Sequence, residues 1–190
     1  MKLKRVNDVL FIATVVVLLY IIVAPLFPMA LFWLQQHTGS RLGQLNTQLH
    51  LPADKVSATP RDNRLIIPAM LLDTPINEGS TMSALRTGPW RRPNTSTPGG
   101  GNTVIVGHRF TYSDPRGAFY YLNKVHVGDE IGIFWHGRRF IYRVSATKVV
   151  PPNEVAIESP TKDIRLTLYT CTPLWLPKNR LVVTALLEKP

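Results

Sequence analysis

The stretch IRLTLYTCTP, Ile164–Pro173, decides the fold. Its side chains alternate without a break up to the cysteine. Ile164, Leu166, Leu168 and Thr170 fall on one face, and Arg165, Thr167, Tyr169 and Cys171 on the other. That period of two reads as a half-buried β-strand. Pro173 has no N–H to give to a ladder, so the strand stops near it. Cys171, the only cysteine in the chain, therefore stands where a strand yields to a loop.

Working outward, the same grammar recurs. RLVVTALLE (Arg180–Glu188) is a last strand, and TVIVGHR (Thr103–Arg109) is a buried strand ending at Gly107-His108. DEIGIFW (Asp129–Trp135) and RRFIYRVSATKVV (Arg138–Val150) flank His136-Gly137, which predicts a hairpin. RLIIPAMLLDTPI (Arg64–Ile76) has short apolar runs punctuated by Pro68 and Pro75, the pattern of edge strands. Arg86–Asn102 is dense in Pro, Gly, Ser and Thr and reads as a loop; FYYLNKV (Phe119–Val125) reads as one or two helical turns. Many short strands with little helix predict an all-β domain, a closed or nearly closed barrel.

The N-terminus has a different solvent. No charged residue interrupts Val9–Leu34, and a helix needs about 20 apolar residues to span a bilayer. Pro25 and Pro28 are expected to kink or end that helix, and Trp33 suits an interface. Lys2, Lys4 and Arg5 precede it, which predicts a cytoplasmic N-terminus and an extracytoplasmic remainder. A cleaved signal peptide would be shorter and followed by a small-x-small site, which the sequence lacks. The expected division is a tail over 1–8, a membrane anchor over 9–34, a stalk over 35–63 broken by Gly39, Gly43 and Pro52, and a barrel over 64–190.

Composition limits the chemistry. The net charge is +10, with 22 basic against 12 acidic side chains, which favours an anionic neighbour such as a lipid surface. No long Lys/Arg run exists, and Arg91-Arg92 and Arg138-Arg139 are no more than pairs, so no nucleic-acid footprint is expected. One cysteine excludes an internal disulfide. His37, His50, His126 and His136 show no zinc spacing, and GGGNTVIVG lacks a phosphate-loop lysine. Asp73, Glu78, Asp114, Asp129 and Glu130 are scattered and read as solvated rather than as a metal site. No metal and no cofactor is expected.

Three residues stand at strand ends or starts: His108, Cys171 and Arg180. If their strands are neighbours, thiol, imidazole and guanidinium converge, and a thiol needs such a partner to become a nucleophile. The plainer alternative is a small core cysteine, a structural histidine and a solvated arginine. Residue patterns alone leave both open.

Longer matches extend the pattern. TLYTC (Thr167–Cys171) resembles the TLxTC signature of sortases, the membrane-anchored transpeptidases of bacterial envelopes. NTVIVGHR (Asn102–Arg109) is similar to the sortase segment that carries the catalytic histidine, and NRLVV (Asn179–Val183) to the one that carries the essential arginine. FYYLNKVHVGDEI (Phe119–Ile131) and DTPINEG (Asp73–Gly79) resemble further stretches, so the likeness covers about residues 64–188 plus the anchor. It implies an eight-stranded sortase-type β-barrel with short helices behind a transmembrane helix. It also implies a C-terminal LPxTG-like sorting motif on surface proteins as substrate. Cys171 would form a thioester with that motif, His108 would act as acid and then base, and Arg180 would steady the oxyanion. An amine of a cell-wall precursor or a pilin lysine would complete the transfer. Thr170 is expected in local hydrogen bonding or substrate contact, and Leu168, with Thr103 and Ile105, at the groove floor.

The sequence also departs from that family. The loop between Cys171 and Arg180 is short, no aspartate-aromatic lid precedes the core, and no second apolar segment follows LLEKP. These features favour an anchoring enzyme, housekeeping or D- or E-like, over a pilin polymerase. The competing functions are another Cys/His hydrolase and a membrane-anchored binding barrel with a buried thiol. No histidine closely precedes Cys171, unlike the S-H-G-C arrangement of L,D-transpeptidases.

Overall fold

The computed structural model describes residues 2–50, 63–110 and 117–188. The chain forms two compact units, Met1–Gly43 and Gln44–Pro190. The first is dominated by α1 (Lys2–Thr38). Within it Val6–Val23 has a mean hydropathy of 2.5 and no buried residues, a length and composition that fit a membrane span or a signal sequence. Helical backbone continues through Pro25 and Pro28 rather than ending there. Proline is tolerated in apolar helices because neighbouring groups re-satisfy the freed carbonyls. The break comes at Gly39, whose φ of +68° suits a residue without Cβ. Beyond it lies α2 (Ser40–His50). Gly43 sits inside α2 and donates to the Gly39 carbonyl at 2.8 Å, so it does not interrupt the helix. Pro52 lies outside the described residues.

The second unit is built on one eight-stranded curled sheet. Its strands are β1 (Arg64–Ile67), β2 (Leu72–Pro75), β3 (Trp90–Arg91), β4 (Asn102–Val106), β5 (Glu130–Trp135), β6 (Arg138–Val150), β7 (Arg165–Thr172) and β8 (Asn179–Leu187). They lie in the order β2-β1-β5-β6-β8-β7-β4-β3. All pairs are antiparallel except β4 with β7. The two edge strands, β2 and β3, approach through an isolated bridge between Asn77 and Trp90, so the sheet is curled almost to closure.

The predicted hairpin forms: Trp135 pairs with Arg138 around His136 and Gly137, both at positive φ, which matches the twist of a two-residue turn. The predicted turns at Phe119–Val125 appear as a 3₁₀ segment, Leu122–Lys124. Two expectations need correction. β1 is internal, paired with both β2 and β5; Pro68 lies after it, opening the 3₁₀ turn Pro68–Met70, and removes no donor from the ladder. The stretch Arg86–Asn102 also holds β3, too short at two residues to show a period.

The core lies inside the curl. Leu65, Ile67, Ile105, Ile131, Ile133, Tyr142, Leu166, Leu168 and Val183 all bury there. The alternation of β7 is visible in its burial: Leu166, Leu168 and Thr170 are sealed, while Arg165, Tyr169 and Cys171 are half-buried. Thr167 breaks the pattern, because its hydroxyl donates to buried Asn102 Oδ1 at 2.8 Å. A smaller cluster covers the outer face, where Leu45 and Leu49 of α2 pack on Ile66 and Phe134. Gly132 makes room for it, since a Cβ there would lie 2.1 Å from Leu49 Cδ2.

Candidate active site

β7 and β8 place the thiol opposite the guanidinium. Cys171 and Arg180 are direct cross-strand partners, and Arg180 Nη1 donates to Cys171 Sγ at 3.5 Å. On the other side β7 runs parallel with β4, whose last pair is Val106 with Tyr169. His108 follows two residues later. His108, Cys171 and Arg180 all line one cleft of about 310 Å³. Convergence of three separate strand ends follows from the strand order β8-β7-β4, with the cysteine on the middle strand.

The histidine is held by its backbone. Gly107 N–H donates to Tyr169 O at 3.3 Å, and the His108 carbonyl accepts from Phe119 N–H at 3.0 Å. Gly117 permits that approach: a Cβ on it would sit 2.4 Å from the His108 carbonyl oxygen. Burial lowers the His108 pKa below its usual 6.5, because a desolvated ring disfavours the charged form. The ring is thus largely neutral at pH 7 and able to accept a proton.

Thr170 lines the cleft yet is fully buried, and its hydroxyl donates to the Gly107 carbonyl at 2.7 Å. It ties the cysteine strand to the histidine segment. Leu168 takes the inward face and belongs to the core, as does Ile105. Neither Leu168, Ile105 nor Thr103 is among the cleft residues; from β7 the cleft takes Tyr169, Thr170 and Cys171 at the strand's end.

Sequence reasoning missed the wall of the cleft. The turn Val155–Glu158 forms part of it, anchored by Asn102 Nδ2, which donates to the carbonyls of Ile157 and Ser159, each at 3.0 Å. Glu158 accepts from Tyr169 Oη at 2.6 Å and from Arg92 Nε at 2.9 and 3.1 Å. The Arg92 guanidinium lies 4.8 Å over the Trp90 ring. Burial and the bond to Glu158 push the Tyr169 phenol well above its ordinary value, so it stays a donor. No local signal marks Glu158 or Arg92; they are 66 positions apart in sequence. The other acids are paired rather than merely solvated: Asp73 with Arg64 at 2.8 Å, Glu78 with Arg91 at 2.7 Å and Glu130 with Arg143 at 2.7 Å. Asp129 accepts from His126 N–H at 2.8 Å. Asp114 lies outside the described residues.

Comparison with known proteins agrees with this geometry. The profile described as the sortase domain matches residues 65–188. Sortase SrtE1 of Streptomyces coelicolor is 33% identical over 92 residues, 44% of this chain and 25% of that protein. Sortase A of Listeria monocytogenes is 28% identical over 125 residues, 66% of this chain and 55% of that protein. The chain thus spans about a quarter and about half the length of these two curated relatives. The crystal structure of Listeria monocytogenes sortase A superposes with a TM-score of 0.59 at 26% identity, covering 67% of this chain and 86% of that one. That of sortase C-1 from Actinomyces oris gives 0.62 at 28% identity, covering 77% and 82%. These relatives carry three different class letters and so assign no class. A curled eight-stranded sheet, a thiol near the end of β7 between β8 and β4, and a domain-length profile match converge on one conclusion: the chain belongs to the sortase family.

Proposed function

We propose that this protein is a membrane-anchored cysteine transpeptidase that cleaves an LPxTG-like C-terminal sorting motif and passes the acyl group to an amine. The observation that carries this reading is the Arg180 guanidinium held 3.5 Å from the Cys171 sulfur in a cleft that His108 also lines. The neutral His108 ring takes the thiol proton as Cys171 Sγ attacks the carbonyl of the motif's threonine. Arg180 donates to the oxyanion that develops, and one such donor typically contributes about 2.7–4 kcal/mol. The imidazolium then protonates the departing amine, and the C–N bond breaks to leave a thioester. An incoming amine, from a cell-wall precursor or a pilin lysine, gives its proton back to His108 as it forms the new amide. The thiol is regenerated, and no ATP is needed because the thioester conserves the acyl potential.

The N-terminal segment completes the reading. Residues 1–8 stay in the cytoplasm, 9–34 span the bilayer, and the remainder, with the catalytic barrel over 64–190, acts outside the membrane. The substrates are surface proteins that bear the sorting motif.

The test is a peptide library offered to the full chain in detergent micelles, with mass spectrometry of the protein. The expected product is an acyl adduct on Cys171 with residues N-terminal to the cut. A thiol that methanethiosulfonate reagents cannot reach, with no adduct from any peptide, would instead identify a binding module.

A further inference from the structure

The parallel ladder between β4 and β7 stops just before the reacting groups. Its last pair is Val106 with Tyr169, and one more bond follows, from Gly107 N–H to Tyr169 O. His108 then turns its carbonyl to Phe119. Among the described residues no backbone hydrogen bond joins His108 or Arg109 to β7. Side chains take over at that point, in two steps that bracket the reacting pair. Thr170, just before the thiol, donates to the carbonyl of Gly107, just before the imidazole, at 2.7 Å. Arg109, just after the imidazole, donates through Nη1 to the hydroxyl of Thr172, just after the thiol, at 2.9 Å. Arg109 Nε also reaches the Tyr120 carbonyl at 3.4 Å, which fixes the fork between the histidine loop and the strand.

We propose that Arg109, through its bond to Thr172, is a positioning residue that fixes the His108 imidazole against the Cys171 thiol. This rests on the reading of Cys171 and His108 as a reacting pair. The Phe119 N–H ties the His108 carbonyl to the turn that follows, and towards β7 the Thr170 rung fixes only the Gly107 side; the Arg109 rung fixes the other side. The guanidinium suits the task because its planar fork can serve two acceptors at once. Its partial burial lowers its pKa from the usual value, as for a group partly enclosed between two segments.

Cys171 is the only thiol in the chain, so its alkylation by iodoacetamide reads the pair without any peptide substrate. The full chain in micelles is followed across pH. Thr172→Val is expected to slow alkylation at pH 7 about fivefold, the effect of one lost hydrogen bond, and to move the profile to higher pH. Thr172→Ser keeps the hydroxyl and should retain the original rate. Arg109→Met should slow the reaction in the native background but add nothing in Thr172→Val, because both remove the same bond. An original rate in Thr172→Val, or losses that multiply in the double variant, overturns the proposal. His108→Ala is the control for the underlying pair. If it alkylates like the unaltered protein, the pair itself is wrong and the positioning role falls with it. If it is slowed while Thr172→Val is not, only the positioning role falls.

Discussion

The floor of the cleft is held by backbone, whereas its wall is held by side chains. Cys171 and Arg180 are cross-strand partners in a continuous antiparallel ladder, and His108 leaves the end of a parallel one. The wall at Val155–Glu158 has no ladder. It hangs on Asn102, Arg92 and Tyr169. A ladder withstands most single substitutions, because its bonds come from backbone groups that every residue but proline carries. A side-chain tether does not. Cys171 and Arg180 therefore sit where most single substitutions disturb geometry least, whereas His108, past the end of its ladder, and the wall depend on individual side chains.

That contrast can be broken at several points. Cys171→Ala should abolish turnover of a sorting-motif peptide while circular dichroism remains that of the folded protein; any residual acyl transfer would remove the cysteine from the floor's chemistry. Arg180→Lys keeps the charge but loses the planar donor set, and kcat/KM should fall by about a hundred- to a thousandfold. Near-normal kinetics would make the arginine a structural residue. Leu168→Ala leaves a hole directly beneath the floor, and urea denaturation should show a loss of about 2–5 kcal/mol. If stability is unchanged, the inward face of β7 is not what supports the site.

The wall should respond differently. Glu158→Gln weakens its ties to Arg92 and Tyr169, and KM should rise roughly tenfold, the scale of one charge-assisted hydrogen bond, with kcat little altered. A fall in kcat instead would show that wall and floor are one device. The smallest effect concerns pH. His108 has a folded pKa below 6.5, so the unfolded chain takes up the proton first as pH falls. Stability present above 6.5 is then lost as pH drops through the folded value. The His108 ring resonance should titrate with a midpoint below 6.5; a midpoint above it would mean that an anionic partner outweighs burial.

The floor was legible in the sequence and the wall was not. The alternation announces which face of β7 is inward, and Leu166, Leu168 and Thr170 are sealed as that pattern requires, whereas Ile164, just before the strand, is exposed. The cysteine, histidine and arginine at strand ends mark positions a sheet can bring together. The β4–β7 pairing itself is not local, so their convergence rests on the family likeness. Glu158 and Arg92 carry no period and no motif; only the folded chain brings them together. Leu168 shows the limit of motif reasoning, since proximity to the cysteine along a strand does not put a side chain on its face. β1 was misread because Pro68 was credited to the strand rather than to the turn after it.

The near-closure of the sheet has one more consequence. Among the described strands β2 and β3 are the edges of the sheet, four and two residues long. Where they meet, Asn77 N–H bonds to the Pro89 carbonyl and Arg91 N–H to that of Asn77. Pro75 adds a position with no donor at all. Among the described residues the two short edges partly occupy one another at this seam, which leaves little room there for a ninth strand. A polypeptide joining at that seam would first have to displace the bonds at Asn77, so strand addition there carries a cost that docking in the cleft does not.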